Sequence, residues 1–401
     1  MARSAPERLR ALARLVWGSI TPLGRSALGA AVACWLLAAW FGWAELAVIA
    51  AACLLALLIG IGFLLASRTN LRVASHLATP RVVVGNDALV EVATTNPSNR
   101  RLLPFRMETR VGDGVAPLHV PTLLGGATHQ EDVHIATSRR AVVPVGPVRS
   151  VQGDPLGLVR REVLWTGTDD LFVHPRTVAV GALTTGWMRD LEGETTNDRS
   201  PSDVAFHTLR EYVVGDDRRH VHWRTTARQA DGKLMVREFV DTRRAHLALV
   251  LSLAPGDYRS ADEFELAVSV VGSLGLRALA DEQQVTCVAG GHVLPSYHGM
   301  ALLDALAGVD LDDAAPDLAT TIGRARDALS SASVGVVAAG SGAETGRVRA
   351  AADRMGQHVH AIIVRADLAG ESMFRRAAQT PLVELADLED LPRMIRVAAA
   401  S

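Results

Sequence analysis

Residues 27–66 read ALGAAVACWLLAAWFGWAELAVIAAACLLALLIGIGFLLA, a run in which Glu45 is the sole charge. One helix needs about 20 apolar residues to cross the hydrocarbon core of a bilayer, so this run is long enough for two. The only interruption is Phe41-Gly42-Trp43-Ala44-Glu45, which leaves Glu45 at a turn and gathers Trp40, Phe41 and Trp43 near one membrane interface. Arg3, Arg8, Arg10, Arg14 and Arg25 precede the run, Arg68 and Arg72 follow it, and the turn has no basic residue. The bias of positive charge toward the cytoplasmic side predicts a transmembrane hairpin over 27–66 with residues 1–26 and everything after about residue 68 in the cytoplasm. The rival reading, a cleaved signal peptide, is opposed by the second apolar run and by the lack of a small-residue cleavage site. A single crossing would place the large domain outside. Glu7 to Trp17, ERLRALARLVW, reads either as a simple topology signal or as a helix lying on the lipid surface.

At 401 residues the chain has room for two or three compact units. A net charge of −2 provides no global basic field, so no nucleic-acid partner is expected. Cys34, Cys53 and Cys287 all fall in apolar stretches, with no Cys-x-x-Cys and no disulfide framework. They read as small buried hydrophobes, compatible with a reducing compartment.

After Asn70 the pattern changes to short alternating stretches such as RVVVGNDALVEVATTN, RLLPFRMETRV and DLFVHPRTVAV, separated by Gly, Asn, Asp and Pro. This spacing predicts an antiparallel, immunoglobulin-like β-sandwich over 71–180. Residues 181–203 are rich in Gly, Thr, Asn, Asp and Ser and read as a linker. A dense polar segment occupies 204–245. From 246 to 401, strands HLALVLSL, QVTCVAG, SVGVVAAG and HVHAIIVRA alternate with helical patterns at Asp262–Asp281, Met300–Ala307, Asp317–Ser331 and Glu344–Met355, before a last strand and helix over Pro381–Ala399. Short buried strands between amphipathic helices predict a doubly wound, Rossmann-like α/β domain.

The polar segment contains FHTLREYVVGDDRRHVHWRTTARQADGKLMVREF, Phe206 to Phe239. Its Leu-Arg-Glu-Tyr, Gly-Asp-Asp-x-Arg, Val-His-Trp, Ala-Arg and Leu-x-Val-Arg-Glu resemble the signature of the family named domain of unknown function 58. GPVRSVQGDPLGLVRR at 146–161 and FVHPR at 172–176 are similar to the same family. The resemblance implies a bacterial protein of the inner membrane with a β-sandwich and a von Willebrand factor A-type α/β domain. It also implies company, because genes of this family accompany those of MoxR-type AAA+ ATPases; the family's own activity is undefined.

The candidate site is Arg210, Glu211, Tyr212, Gly215, Asp216, Asp217, Arg218, Arg219, His222, Trp223, Arg224 and Arg228, serving either a partner or the fold. Asp216 and Asp217 are placed to pair with Arg218 and Arg224. An extended Val221-His222-Trp223 puts His220 and His222 on one face and Val221 and Trp223 on the other. Asp216, Arg218 and Trp223 are expected to serve the fold, Arg219 and Arg224 a partner. Two histidines without cysteine make a poor zinc site. A von Willebrand factor A-type metal site opens with Asp-x-Ser-x-Ser, whereas LVLSLAPGDY places Ser252, Ala254 and Gly256 there and offsets Asp257. No metal or cofactor is expected. GSGAETG at 340–346 misses the spacing of both phosphate-binding fingerprints and reads as a strand-to-helix turn. The function expected is a membrane-anchored, non-enzymatic adaptor or scaffold that engages the bilayer and a MoxR-type ATPase. The alternative is an enzyme acting on envelope precursors through the Asp/His/Arg cluster.

Overall fold

The computed structural model describes residues 18–66, 71–154, 156–181, 206–213, 216, 218–228, 233–239, 246–376 and 380–399. The Glu7–Trp17 segment, Arg3, Arg8, Arg10, Arg14, Arg68 and nearly all of the expected linker lie outside them. The chain divides into two compact units, Met1–His174 and Pro175–Ser401.

In the first unit, α1 (Pro22–Phe41) and α2 (Ala44–Ala66) form an antiparallel pair, each long and apolar enough to cross a bilayer. Helix α1 starts ahead of the expected Ala27 and takes in Arg25. The Thr21 hydroxyl accepts a hydrogen bond from the Gly24 N–H (3.1 Å) and proline occupies the first turn, two features that start helices. It ends at Gly42, whose φ of 72° is the left-handed conformation that glycine adopts without strain. Trp40 is 85% exposed, and Trp35, Leu36, Leu55, Leu58 and Ile59 are exposed as well. Among the described residues nothing covers these side chains, as a lipid-facing pair requires.

Nine strands are described in this unit: β1 (Arg72–Leu77), β2 (Arg81–Val83), β3 (Ala88–Thr95), β4 (Phe105–Val111), β5 (Gly114–Val120), β6 (Thr128–Ile135), β7 (Ala141–Gly153), β8 (Arg160–Leu164) and β9 (Asp169–His174). One sheet runs β1-β3-β6, the other β2-β9-β7-β4-β5 with β8 on β7. Alternation places Ala88, Val90 and Val92 of β3 inward, against Met107, Leu118, Val148 and Leu171 of the facing sheet. Of the family-like stretch 146–161, Arg149 is fixed by Glu108 (2.9 Å) and Glu162 (3.2 Å), a structural use of that motif. The unit stops at His174. Val178 and Val180, read above as sandwich, pack instead in the core of the second unit.

That unit begins with β10 (Phe206–Glu211), the short helix α3 (Trp223–Thr226) and β11 (Met235–Phe239). There follow β12 (His246–Leu251), α4 (Ala261–Ala280), β13 (Gln284–Ala289), β14 (His292–Leu294), α5 (Gly299–Ala307), α6 (Leu318–Arg324), α7 (Arg326–Leu329), β15 (Val334–Gly340), α8 (Thr345–Ala352), β16 (His360–Ala366), β17 (Met373–Arg375), β18 (Leu382–Leu385) and α9 (Leu391–Ala399). The large sheet has the order β14-β13-β12-β15-β16-β18-β17, parallel except for its two edge strands. Leu247, Leu249 and Leu251 point to one apolar layer with α4, α5 and α9, while Ala248 and Val250 point to the other with α6 and α8. Both faces are therefore covered, which explains why β12 reads as an unbroken apolar run.

At the start of β12, His246 is buried, with Nδ1 2.9 Å from Ser331 Oγ and Nε2 2.8 Å from Thr286 Oγ1. Burial holds its pKa below the ordinary 6.5, partly offset by the Ser331 hydrogen bond. The unfolded chain takes up this proton near pH 6.5, before the folded protein does. Stability from this residue is present above that pH and is lost as pH falls through the folded value. Urea midpoints measured from pH 7.5 downward should fall less steeply for His246→Gln than for the parent; equal slopes would refute the assignment.

Candidate functional site

The signature segment folds as a strand pair with a structured connection. Strands β10 and β11 are antiparallel, with Glu211 opposite Met235. The Asp216 N–H donates to the Val213 carbonyl (3.0 Å) to close a turn, and Arg218–His220 make one 3-10 turn. Val221 then bridges to Val236, and both are buried. The bond from the His222 N–H to the Met235 carbonyl (2.7 Å) draws the connection onto β11.

The side chains divide into those that hold this shape and those that face outward. Arg210 grips Asp216 with two hydrogen bonds of 2.7 Å, and the Val213 N–H donates to the same carboxylate (2.9 Å). Asp216 therefore pairs with Arg210, not with the expected Arg218 or Arg224. His222 caps α3: its Nδ1 accepts from the Thr225 N–H (3.2 Å) and lies 2.6 Å from the Thr225 hydroxyl. The extended reading of Val221-His222-Trp223 is thus corrected, because His222 ends the strand-like bridge and Trp223 opens a helix. Trp223 is 66% exposed and is no core residue, again against expectation. Arg218, Arg219, Arg224 and Arg228 are exposed beside it in sequence, and Tyr212 is half-buried. Glu211 forms an exposed pair with Lys233 (2.7 Å), of little energetic weight. Gly215 and Asp217 lie outside the described residues.

A second cluster sits beyond the carboxyl ends of β12 and β15, where the strand order reverses and doubly wound sheets usually bind ligands. The Ser252 hydroxyl donates to Asp257 (2.5 Å), and the Tyr258 hydroxyl donates to the Ser252 carbonyl (2.7 Å). Burial, with the charges of Asp257 and Glu263, pushes the Tyr258 phenol well above its ordinary range. Glu263 is buried and accepts from the Ser341 hydroxyl (2.7 Å), the Ser341 N–H (3.2 Å) and the Arg259 N–H (2.9 Å). Ser252 and Asp257 thus satisfy each other, and the Ser341 amide of GSGAETG is spent on Glu263. Beside them Asp257, Asp317, Glu344 and Arg347 line a cavity of about 160 Å³. Asp317 has its pKa lowered by hydrogen bonds from Thr320, whose N–H it accepts as the cap of α6. Among the described residues, no three His, Cys, Asp or Glu side chains converge as metal ligands. The sequence reading missed Glu263, although Ser260-Ala261-Asp262-Glu263 has the spacing of a capping box and the Ser260 hydroxyl accepts the Glu263 N–H (3.2 Å).

Two bilayer-length helices on a β-sandwich, followed by a polar strand pair and a mostly parallel α/β sheet, define a multidomain, membrane-associated protein. Residues 208–367 match the family described as Protein of unknown function DUF58. No curated protein matches the chain. Among solved structures, the CARDB domain of the PF1109 protein from Pyrococcus furiosus is similar over 26% of this chain and 92% of its own, at 13% identity and a TM-score of 0.20. The sporulation control protein Spo0M from Bacillus subtilis is similar over 35% of this chain and 57% of its own, at 11% identity and a TM-score of 0.17. A β-glucosidase from Listeria innocua is similar over 24% of this chain and 16% of its own, at 13% identity and a TM-score of 0.17. Likenesses this slight carry no functional argument.

Proposed function

We propose that this protein is a membrane-anchored, non-enzymatic adaptor, held in the bacterial inner membrane by the α1–α2 hairpin and presenting its soluble domains to the cytoplasm. The observation that carries the reading is the division of labour in the signature segment. Asp216, Arg210 and His222 are consumed in holding its shape, while Trp223 is held outward with exposed arginines near it in sequence. Tryptophan and arginine are the residues on which interface energies most often concentrate. The enzyme alternative loses Asp216 and His222 as free acid and base, since neither is offered to a substrate. The sandwich, which ends at His174, acts as spacer and the α/β domain over 246–401 as a Rossmann-like, von Willebrand factor A-type platform, a reading supported by the strand order reversing at β12. Family company makes a MoxR-type AAA+ ATPase the partner.

Retention of the ATPase on the purified full chain, with nucleotide present, tests this. Trp223→Ala and Arg224→Ala should each lower capture about tenfold, the loss of about 1.4 kcal/mol, with the melting temperature unchanged. Undiminished capture by thermally normal variants would remove this segment as the docking surface. Orientation is checked separately: a C-terminal alkaline phosphatase fusion should be inactive, and an active one would reverse the topology.

A further inference from the structure

We propose that the end of the β-sandwich beside the helix hairpin is itself a lipid-binding surface, with Leu103, Leu124 and Leu156 in the bilayer interface and Arg100 and Arg101 against anionic headgroups. The proposal rests on the hairpin spanning the membrane.

The location follows from contacts within the first unit. The Asp154–Val159 loop is strapped to the base of the hairpin: the Thr21 N–H donates to the Leu158 carbonyl (3.0 Å) and the Thr21 hydroxyl to the Gly157 carbonyl (2.7 Å). Ile20 bridges to Val159, and Ile61 of α2 packs against both. Gly24 lies so close to the Leu158 carbonyl that a Cβ there would collide with it, and a Cβ on Gly60 would come within 3.2 Å of Val159. This loop sits at the level of the first turn of α1 and the last turns of α2.

Two further loops share that end. Met107 is opposite Ser150, so β4 begins where β7 finishes, and Phe105 is opposite Val120, so β5 finishes there too. The chain reaches β1 at Arg72, opposite Thr95, only six residues after α2 ends at Ala66, a span of at most about 20 Å. The loops at 96–104 and 121–127 are therefore next to the membrane.

Their exposed leucines are held outward by a rigid frame. Asn96 is fully buried, and its amide donates to the carbonyls of Arg100 (2.8 Å), Leu123 (3.2 Å) and Leu124 (3.1 Å). Leu102 and Leu123 bridge the two loops. A Cβ on Gly125 would meet the Ser98 carbonyl at 2.8 Å, so only glycine permits this approach. In the third loop, Asp154 accepts from the N–H groups of Leu156 (3.0 Å) and Val159 (2.7 Å). The result is exposure of 75% at Leu103, 65% at Leu124 and 62% at Leu156. Removing such side chains from water is favourable, and here the apolar surface continues that of the hairpin. Asp154 is the only carboxylate in these three loops and is occupied by loop amides, whereas Arg100 and Arg101 are exposed. An apolar rim with cationic neighbours fits an anionic bilayer interface.

The test uses the full chain with Cys34→Ala and Cys53→Ala; Cys287 remains, because it is fully buried and its thiol is pushed up to about 12. Single cysteines at Leu103, Leu124 or Leu156 carry an environment-sensitive fluorophore. Leu36 in the hairpin and Val115 at the opposite β4–β5 turn are controls. The protein is reconstituted in phosphatidylcholine and phosphatidylglycerol vesicles containing spin-labelled lipid. Probes at 36, 103, 124 and 156 should lose most of their emission while the probe at 115 keeps its own. Quenching at 36 with the loop sites behaving like 115 would overturn the proposal and leave the hairpin standing. No quenching at 36 would overturn the spanning hairpin and this surface with it. Loop probes shielded from water yet unquenched by lipid would assign the surface to a second protein copy and reject lipid. Omitting phosphatidylglycerol should weaken quenching at 103, and an unchanged signal would strike the arginines from the surface.

Discussion

Replacing Glu263 with alanine is expected to destabilise the α/β sheet by about 3 to 5 kcal/mol, the cost of leaving its hydrogen-bond donors without their acceptor. Its carboxylate is the acceptor for the Ser341 N–H, the Ser341 hydroxyl and the Arg259 N–H, and Ser341 in turn accepts from Arg365 through its carbonyl (2.8 Å). Alanine leaves the buried Ser341 N–H and the part-buried Arg259 N–H without this partner, and an unsatisfied buried group costs about 1 to 3 kcal/mol. The damage should fall where α4 meets the β15–α8 turn. Hydrogen exchange of amides in β12 and β15 should accelerate by about two to three orders of magnitude, while those of the β-sandwich stay as in the parent. Glu263→Gln keeps an acceptor oxygen and should recover part of the loss. Equal protection in parent and alanine variant would show that the network contributes nothing net.

The parts legible in the sequence are those whose signal lies within one element. The run 27–66 exceeds one membrane span by its length alone, and β12, β15 and β16 announce themselves as short β-branched and apolar runs between helical patterns. Strands β14 and β17 went unread because three residues are too few for any periodicity. The site was harder for a different reason. The segment holding Asp216 offers arginines at 210, 218, 219 and 224, and spacing alone does not choose among them. The choice is made by the β10–β11 register and the Val213–Asp216 turn, which bring Arg210 back to the carboxylate. Trp223 misled by type: a large aromatic ring is more often buried, whereas here it follows the His222 cap in the first turn of α3 and stands exposed. Asn96 is of a residue type that ordinarily marks a turn, yet it is a buried staple between two loops.

Asp216→Ala is expected to cost the signature segment about 2 to 3 kcal/mol, below the full penalty for a deeply buried pair because the Arg210 side chain is 28% exposed and regains some hydration. Asp216 itself is only 6% exposed. Its carboxylate joins the end of β10 to the turn that begins the connection, through the paired bonds from Arg210 and the one from Val213. Without it, the turn loses the group that fixes where the chain re-enters at Val221, and the His222 cap and outward Trp223 lose their common frame. The measurable consequence is local: amides of β10 and β11 should exchange faster by about one to two orders of magnitude, with the α/β sheet unaffected. Arg210→Ala should produce the same pattern, and the double variant should lose much less than the sum of the two, since each single change already breaks the one interaction they share. Strict additivity would mean that the two side chains act separately. The comparison also separates shape from contact in the proposed docking surface. Asp216→Ala should weaken ATPase capture together with exchange protection, whereas Trp223→Ala should weaken capture alone. Loss of protection with capture intact would show that the partner does not read this shape.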